Sequence, residues 1–133
     1  MSCKISQGVT TVITGNCGVS LAPLEYEQRP PPPLDLVCED PKLFFSEFSG
    51  YLKTLDHEPP SLNVAAQVGH STLRLGTMDR LDREATPDEI KTMRSRLESS
   101  LLDGAIGFST GLFYPPAGSS STEEVIELSL IHI

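Results

Sequence analysis

The sequence predicts an α/β fold in which parallel strands alternate with helices. Three observations indicate this class. Three short runs of β-branched or small apolar residues are each followed by a glycine within three residues. Helix patterns follow these runs, and the order of strand, loop and helix is repeated nearly three times. Such alternation implies right-handed crossovers and a parallel sheet. The chain has 133 residues, which is room for one domain with a modest core.

The first predicted unit is a strand, a long loop and a helix. The strand covers residues 9–14, a β-branched run that ends at Gly15. Residues 19–40 lack periodicity and contain four consecutive prolines, which favours a stiff, irregular loop. A helix is expected to begin after Asp40 as N-cap and to end before the prolines at positions 59 and 60, because apolar residues between 44 and 55 fall at helical spacing.

The second predicted unit begins with residues 62–68, which indicate a buried strand that ends at Gly69. A helix start follows at Thr86, where proline comes next and Glu89 completes a capping box. Apolar residues at helical spacing supply its buried face. Gly104 is well placed to end this helix.

The third predicted unit is a short strand over residues 105–108 and a further helix. Ser121 and Glu124 have the spacing of a helix start. We expect Glu123, Glu124 and Glu127 to occupy the first turn and the solvated face of this helix.

Composition excludes several classes of function. Eighteen acidic and ten basic residues give a net charge of −8, which repels phosphate backbones, so we expect no nucleic-acid partner. The sequence has no apolar run of the roughly 20 residues that a membrane span needs, and its beginning lacks the apolar region of a signal peptide. Three cysteines without close spacing favour reduced thiols over disulfides. We therefore expect a cytoplasmic protein without a membrane partner.

Small or polar side chains follow each predicted strand, at residues 16–18, 70–72 and 109–111. Functional residues collect at the carboxyl ends of the strands in parallel sheets, so these three clusters are the candidate site. Within them, Cys17 could ligate zinc, act as a nucleophile, or be a small buried apolar residue. His70 could be a ligand, a general base, a residue that orients another group or a structural histidine, and the residues alone favour the structural role.

The third cluster and the loop after it carry further candidates. Ser109 and Thr110 lack the flanking glycines of a serine-hydrolase elbow, so hydrogen bonds within their turn are the favoured role. Phe113 and Tyr114 precede two prolines and could either line a pocket or cap the sheet. The sequence has no phosphate-binding glycine loop and no HExxH zinc motif.

Three ordered blocks, at residues 8–20, 62–74 and 103–116, resemble the N-acyl-D-amino-acid deacylases (D-aminoacylases) of the amidohydrolase superfamily. The resemblance covers about residues 7–127. It implies part of a (β/α)8 TIM barrel, with about three of its parallel strand–helix units. The implied reaction is zinc-dependent hydrolysis of an N-acyl-D-amino acid, a small molecule, to a D-amino acid and a carboxylate.

The resemblance also implies roles for individual residues. Cys17 matches a zinc ligand of the family, and Phe113 and Tyr114 match positions near its substrate pocket. The family's His-x-His metal pair lies upstream of the matched blocks. Its other metal histidines and its catalytic aspartate lie downstream, so no catalytic residue is assigned here. Because one ligand cannot hold a catalytic zinc, we expect the chain by itself to be inactive.

Residues 1–127 are therefore interpreted as a fragment of a catalytic barrel. Residues 128–133 are interpreted as a non-native tail, since they equal the translation of a transposon-end adapter used in DNA library preparation. One alternative is a non-catalytic α/β binding or scaffold module derived from such a barrel, and another is an unrelated enzyme that uses Cys17 with His70. The sequence does not decide the oligomeric state.

Overall fold

The computed structural model describes residues 2–131, apart from the side chain of Ser2. The predicted tail 128–133 therefore includes two residues, His132 and Ile133, that lie outside the described part. The helices are α1 Ser2–Ile5, α2 Phe48–His57, α3 His70–Leu75, α4 Pro87–Asp103, α5 Pro115–Gly118 and α6 Thr122–Ser129. The strands are β1 Thr11–Thr14, β2 Asn63–Ala66, β3 Val68–Gly69 and β4 Phe108–Ser109.

All strand pairs in the described residues are parallel. β1 pairs with β2, and β3 pairs with β4. Only Gln67 separates β2 from β3, so these two form one continuous stretch with a neighbour on each side. The three strand segments therefore lie side by side in chain order, and the predicted α/β class with parallel strands is confirmed.

Local signals placed α4 correctly. The Thr86 hydroxyl accepts a hydrogen bond from the Glu89 backbone N–H, and the Glu89 side chain returns to the Thr86 backbone N–H, which is the predicted capping box. Gly104 ends the helix in the left-handed conformation, with φ of +119°. Ser121 caps α6, because its hydroxyl accepts a hydrogen bond from the Glu124 backbone N–H.

The helix predicted from Asp40 is wrong at its beginning. Asp40 does cap a turn, but this is a 3₁₀ turn over Pro41–Leu43, and α2 starts only at Phe48. The reason is tertiary. The segment between the 3₁₀ turn and α2 is not helical, because Phe45 forms two backbone hydrogen bonds with an earlier segment. Its N–H donates to Leu21 O at 2.9 Å, and its O accepts from the Leu24 N–H at 2.7 Å. Phe44 is thereby buried in the second apolar cluster described below.

Two apolar clusters hold the strands and helices together. The larger one packs α2, α4 and α6 against β2 and β3, with Phe48, Met93, Leu97 and Leu128 nearly or fully buried. The smaller one lies under the proline-rich segment, where Leu24 and Leu34 are buried. Among residues 2–131, no helix is long and apolar enough to cross a membrane.

Candidate active site

The three polar clusters predicted at the strand ends meet at one edge of the sheet. Gly18 joins them, because its O accepts from the Ser71 N–H at 2.9 Å and its N–H donates to Ser109 Oγ at 3.1 Å. The approach is close enough to require glycine. A Cβ built on Gly69 would lie 2.4 Å from Gly18 O, and one built on Gly111 would lie 2.4 Å from Cys17 O.

Cys17 is presented to solvent by a strained turn. It has φ of +54°, a region that L side chains rarely adopt, and it lies between Asn16 and Gly18. The turn is held from outside by the hydroxyl of Ser109, which donates to Gly15 O. The Cys17 side chain is exposed and its thiol is free. The interpretation of Cys17 as a small buried apolar residue is therefore wrong.

The described residues fit a zinc ion only in part. A thiolate at this edge is a suitable zinc ligand, but zinc in proteins takes three or four protein ligands. Residues 2–131 contain no group of three or more histidine, cysteine, aspartate or glutamate side chains that could hold a metal. Cys17 would therefore supply one ligand, and the others would have to come from outside this part of the chain.

Both ring nitrogens of His70 form hydrogen bonds with other side chains. Nδ1 lies 2.9 Å from Thr110 Oγ1, and Nε2 lies 2.8 Å from Glu124 Oε1. The side chain is fully buried. It therefore has no free nitrogen for a metal or for the Cys17 thiol, and the structural role favoured by the sequence fits this geometry.

Glu124 and Arg74 complete a buried polar cluster with His70. Arg74 Nη1 donates to both Glu124 carboxylate oxygens, at 2.7 and 2.6 Å, and all three side chains are inaccessible to solvent. Burial alone raises the pKa of Glu124. Hydrogen bonds from His70 and Arg74, together with the positive charge of Arg74, outweigh burial and hold that pKa below its ordinary value. Glu124 is therefore a carboxylate at neutral pH.

The solvated position predicted for Glu124 is wrong. Its backbone N–H does serve the helix cap, but its side chain turns inward, where its carboxylate balances the buried charge of Arg74. Sequence reasoning also missed Arg74 itself. The available signal was a single arginine between Leu73 and Leu75 in an otherwise uncharged stretch.

Phe113 and Tyr114 lie on the loop after β4, at the same edge as Cys17. Their rings contact edge to face, with centroids 5.9 Å apart. Phe113 is 94% exposed. Tyr114 is partly buried and packs against Gly111, where a built Cβ would lie 2.9 Å from the ring. The structure therefore brings Tyr114 close to the Cys17 turn, through Gly111, and places Phe113 against the Tyr114 ring.

The chain is similar over nearly its whole length to proteins named as deacylases of N-acyl-D-amino acids. It is 54% identical over 128 residues to a D-aminoacylase of Alcaligenes xylosoxydans xylosoxydans, which is 96% of this chain and 26% of the relative. The chain is thus homologous to the N-acyl-D-amino-acid deacylases, and the resemblance seen in the sequence is confirmed. It spans about a quarter of the length of this relative. No protein-family model matches it.

Solved structures of such deacylases share the fold. A D-aminoacylase described as defining a novel subset of amidohydrolases is 57% identical, with a TM-score of 0.90, over 95% of this chain and 26% of its own. An N-acyl-D-glutamate deacylase from Bordetella bronchiseptica, complexed with zinc and a phosphonate inhibitor, is 41% identical, also with a TM-score of 0.90. That match covers 96% of this chain and 27% of the deacylase.

Proposed function

We propose that this chain is part of the catalytic barrel of a zinc-dependent amidohydrolase, which hydrolyses N-acyl-D-amino acids to a D-amino acid and a carboxylate. The observation that carries this proposal is the 54% identity to a D-aminoacylase across almost the entire chain. In this proposal residues 1–127 belong to the barrel, and the protein works in the cytoplasm.

The topology supports a barrel. Consecutive strands of a (β/α)8 barrel are neighbours, are parallel and are joined by helices on the outside. β1, the β2–β3 stretch and β4 have this order here, and the described residues bury apolar side chains between the strands and α2, α4 and α6. Ile13 and Ile106 are each 53% exposed. In a closed barrel such side chains would face the interior, which further strands would cover.

The chemistry is assigned to the edge that carries Cys17. Zinc, when bound, activates water and polarises the scissile carbonyl. This chain contributes the residues on one side of that site. The Cys17 thiolate supplies a ligand, the turn around it fixes where the sulfur points, and Phe113 and Tyr114 offer apolar contact to the substrate. With one ligand among the described residues, the chain alone is expected to be inactive.

The test is hydrolysis by a complete protein that carries this segment. We expect release of the free D-amino acid from an N-acetyl-D-amino acid, and no release from the L-enantiomer. Cys17→Ala should lower both bound zinc and kcat/KM by roughly 100-fold or more, because the loss of a ligand costs at least as much as the loss of its supporting partners. The matched control is Cys38→Ala, since Cys38 lies in the proline-rich segment and donates to Asp40 O at 3.3 Å. Unchanged zinc content in Cys17→Ala would contradict the assigned role.

A further inference from the structure

Thr110 occupies the middle of the turn that supports Cys17. Ser109 on one side bonds to Gly18 N and Gly15 O, and Gly111 on the other side lies against the Cys17 carbonyl. Thr110 takes no part in these bonds, and its side chain is exposed at the carboxyl end of β4. Among the described residues, the hydrogen-bond partner of its hydroxyl is His70 Nδ1, at 2.9 Å.

The buried cluster favours one direction for this hydrogen bond. The Glu124 carboxylate can only accept, so His70 Nε2, 2.8 Å away, carries the ring hydrogen and donates it. A neutral imidazole then has a lone pair at Nδ1. We take the imidazole as neutral, because one guanidinium and one carboxylate already balance in a cluster without solvent. Nδ1 is therefore the acceptor, and the Thr110 hydroxyl is the donor.

This assignment leaves Thr110 Oγ1 with lone pairs and no hydrogen to offer. The oxygen is accordingly an acceptor at the edge of the proposed site. An N-acyl-D-amino acid with an apolar side chain has two groups that accept hydrogen bonds, the carboxylate and the acyl carbonyl. Its amide N–H is the group that donates.

We infer that Thr110 Oγ1 accepts a hydrogen bond from the amide N–H of the substrate, with its direction set by the relay through His70 to Glu124. The contact rests on the proposed function. It makes Thr110 a substrate-binding residue, and it makes His70 and Glu124 positioning residues that act through it. It also accounts for an exposed threonine whose hydroxyl bonds to the buried cluster.

The test compares an amide with the matching ester, which lacks the N–H. In the complete protein, Thr110→Val should lower kcat/KM for N-acetyl-D-alanine roughly 2- to 12-fold, the effect of one hydrogen bond between neutral groups. The same variant should change kcat/KM for O-acetyl-D-lactate less than twofold. Thr110→Ser keeps the hydroxyl and should behave as the unaltered protein with both substrates.

A purely structural role for Thr110 gives another result. Lost support of the Cys17 turn would lower hydrolysis of amide and ester by the same factor, and that outcome would overturn the inference, as would full activity of Thr110→Val on the amide. Thr92→Val is the matched control, since Thr92 is exposed on α4 and its hydroxyl donates to Asp88 O. If the unaltered protein does not hydrolyse the amide, the proposed function itself is wrong, and this contact with it.

Discussion

Glu124→Gln tests the buried cluster with almost no change of shape. Glu124 accepts from Arg74 Nη1 at 2.7 and 2.6 Å and from His70 Nε2 at 2.8 Å. A glutamine amide replaces one of these oxygens with an NH₂ group. Because Arg74 Nη1 donates to both oxygens, either orientation of the amide places its NH₂ group against this N–H donor. Arg74 also loses the carboxylate that balances its charge.

The expected loss follows from this burial. Breaking a fully buried ion pair from one side costs about 3–5 kcal/mol, since the remaining charge stays desolvated. Against a total of about 5–15 kcal/mol for a domain, this is a large fraction. Glu127 on the same helix gives the comparison. Its pair with Arg94 is roughly half exposed on both sides, so Glu127→Gln should cost about 0–1 kcal/mol.

The assay is urea unfolding of the chain followed by far-UV circular dichroism. With a slope of about 1.5 kcal/mol/M, Glu124→Gln should lower the midpoint by about 2–3 M, and Glu127→Gln by less than about 0.7 M. The double variant Arg74→Met/Glu124→Leu removes both charges and should be more stable than Glu124→Gln. Equal midpoints for the two glutamine variants would refute the claim that the Arg74–Glu124 pair stabilises the packing of α6 against α3.

The remaining predictions concern acid and close packing. Glu124 has a lowered pKa. Hydrogen bonds from Arg83, and then from the Thr86 backbone, lower the pKa of Glu89 to about 2. Both groups are depressed in the folded state, so their stabilisation is complete above about pH 4.3 and is lost as the pH falls further towards the folded-state values. The urea midpoint should therefore hold steady from pH 7 to about 5 and then decline, less steeply in Glu124→Gln, and a flat profile down to pH 3 would contradict this. Gly69→Ala should destabilise by several kcal/mol, since its Cβ would lie 2.4 Å from backbone oxygen, whereas Gly50→Ala on α2, with its nearest contact at 3.8 Å, should be neutral or stabilising by up to about 1 kcal/mol.

Local signals explain how much of the fold could be predicted. The residues that cap the start of α4 are four consecutive residues, and a glycine ends this helix. Both ends can therefore be predicted from the local sequence alone. The first two strand runs and their terminal glycines are equally local, whereas the strand predicted at 105–108 is wrong in its bounds, since β4 shares only Phe108 with it. The start of α2 could not be found in this way, because Phe45 bonds to Leu21 and Leu24, more than twenty residues earlier.

The buried cluster of His70, Arg74 and Glu124 could not be predicted from the local sequence, and the reason is physical. Glu124 has a good position for a helix N-terminus, and that is a sufficient explanation of an acidic residue there. Its actual partners are 50 and 54 residues away, in Arg74 and His70. A pairing over this separation is decided by which helices pack together, and periodicity within one helix carries no information about it.

The same separation explains why Cys17 could not be interpreted from its own surroundings. A cysteine with positive φ is unfavourable, so its conformation persists only where neighbouring groups determine it. Here Ser71 and Ser109 hold Gly18 beside it, and they come from the second and third strand units. All three strand units contribute to the conformation of the turn at Cys17. The sequence block around Cys17, taken alone, is therefore weak evidence of function. The ordered set of three blocks is stronger evidence, since each block supplies a part of the same turn.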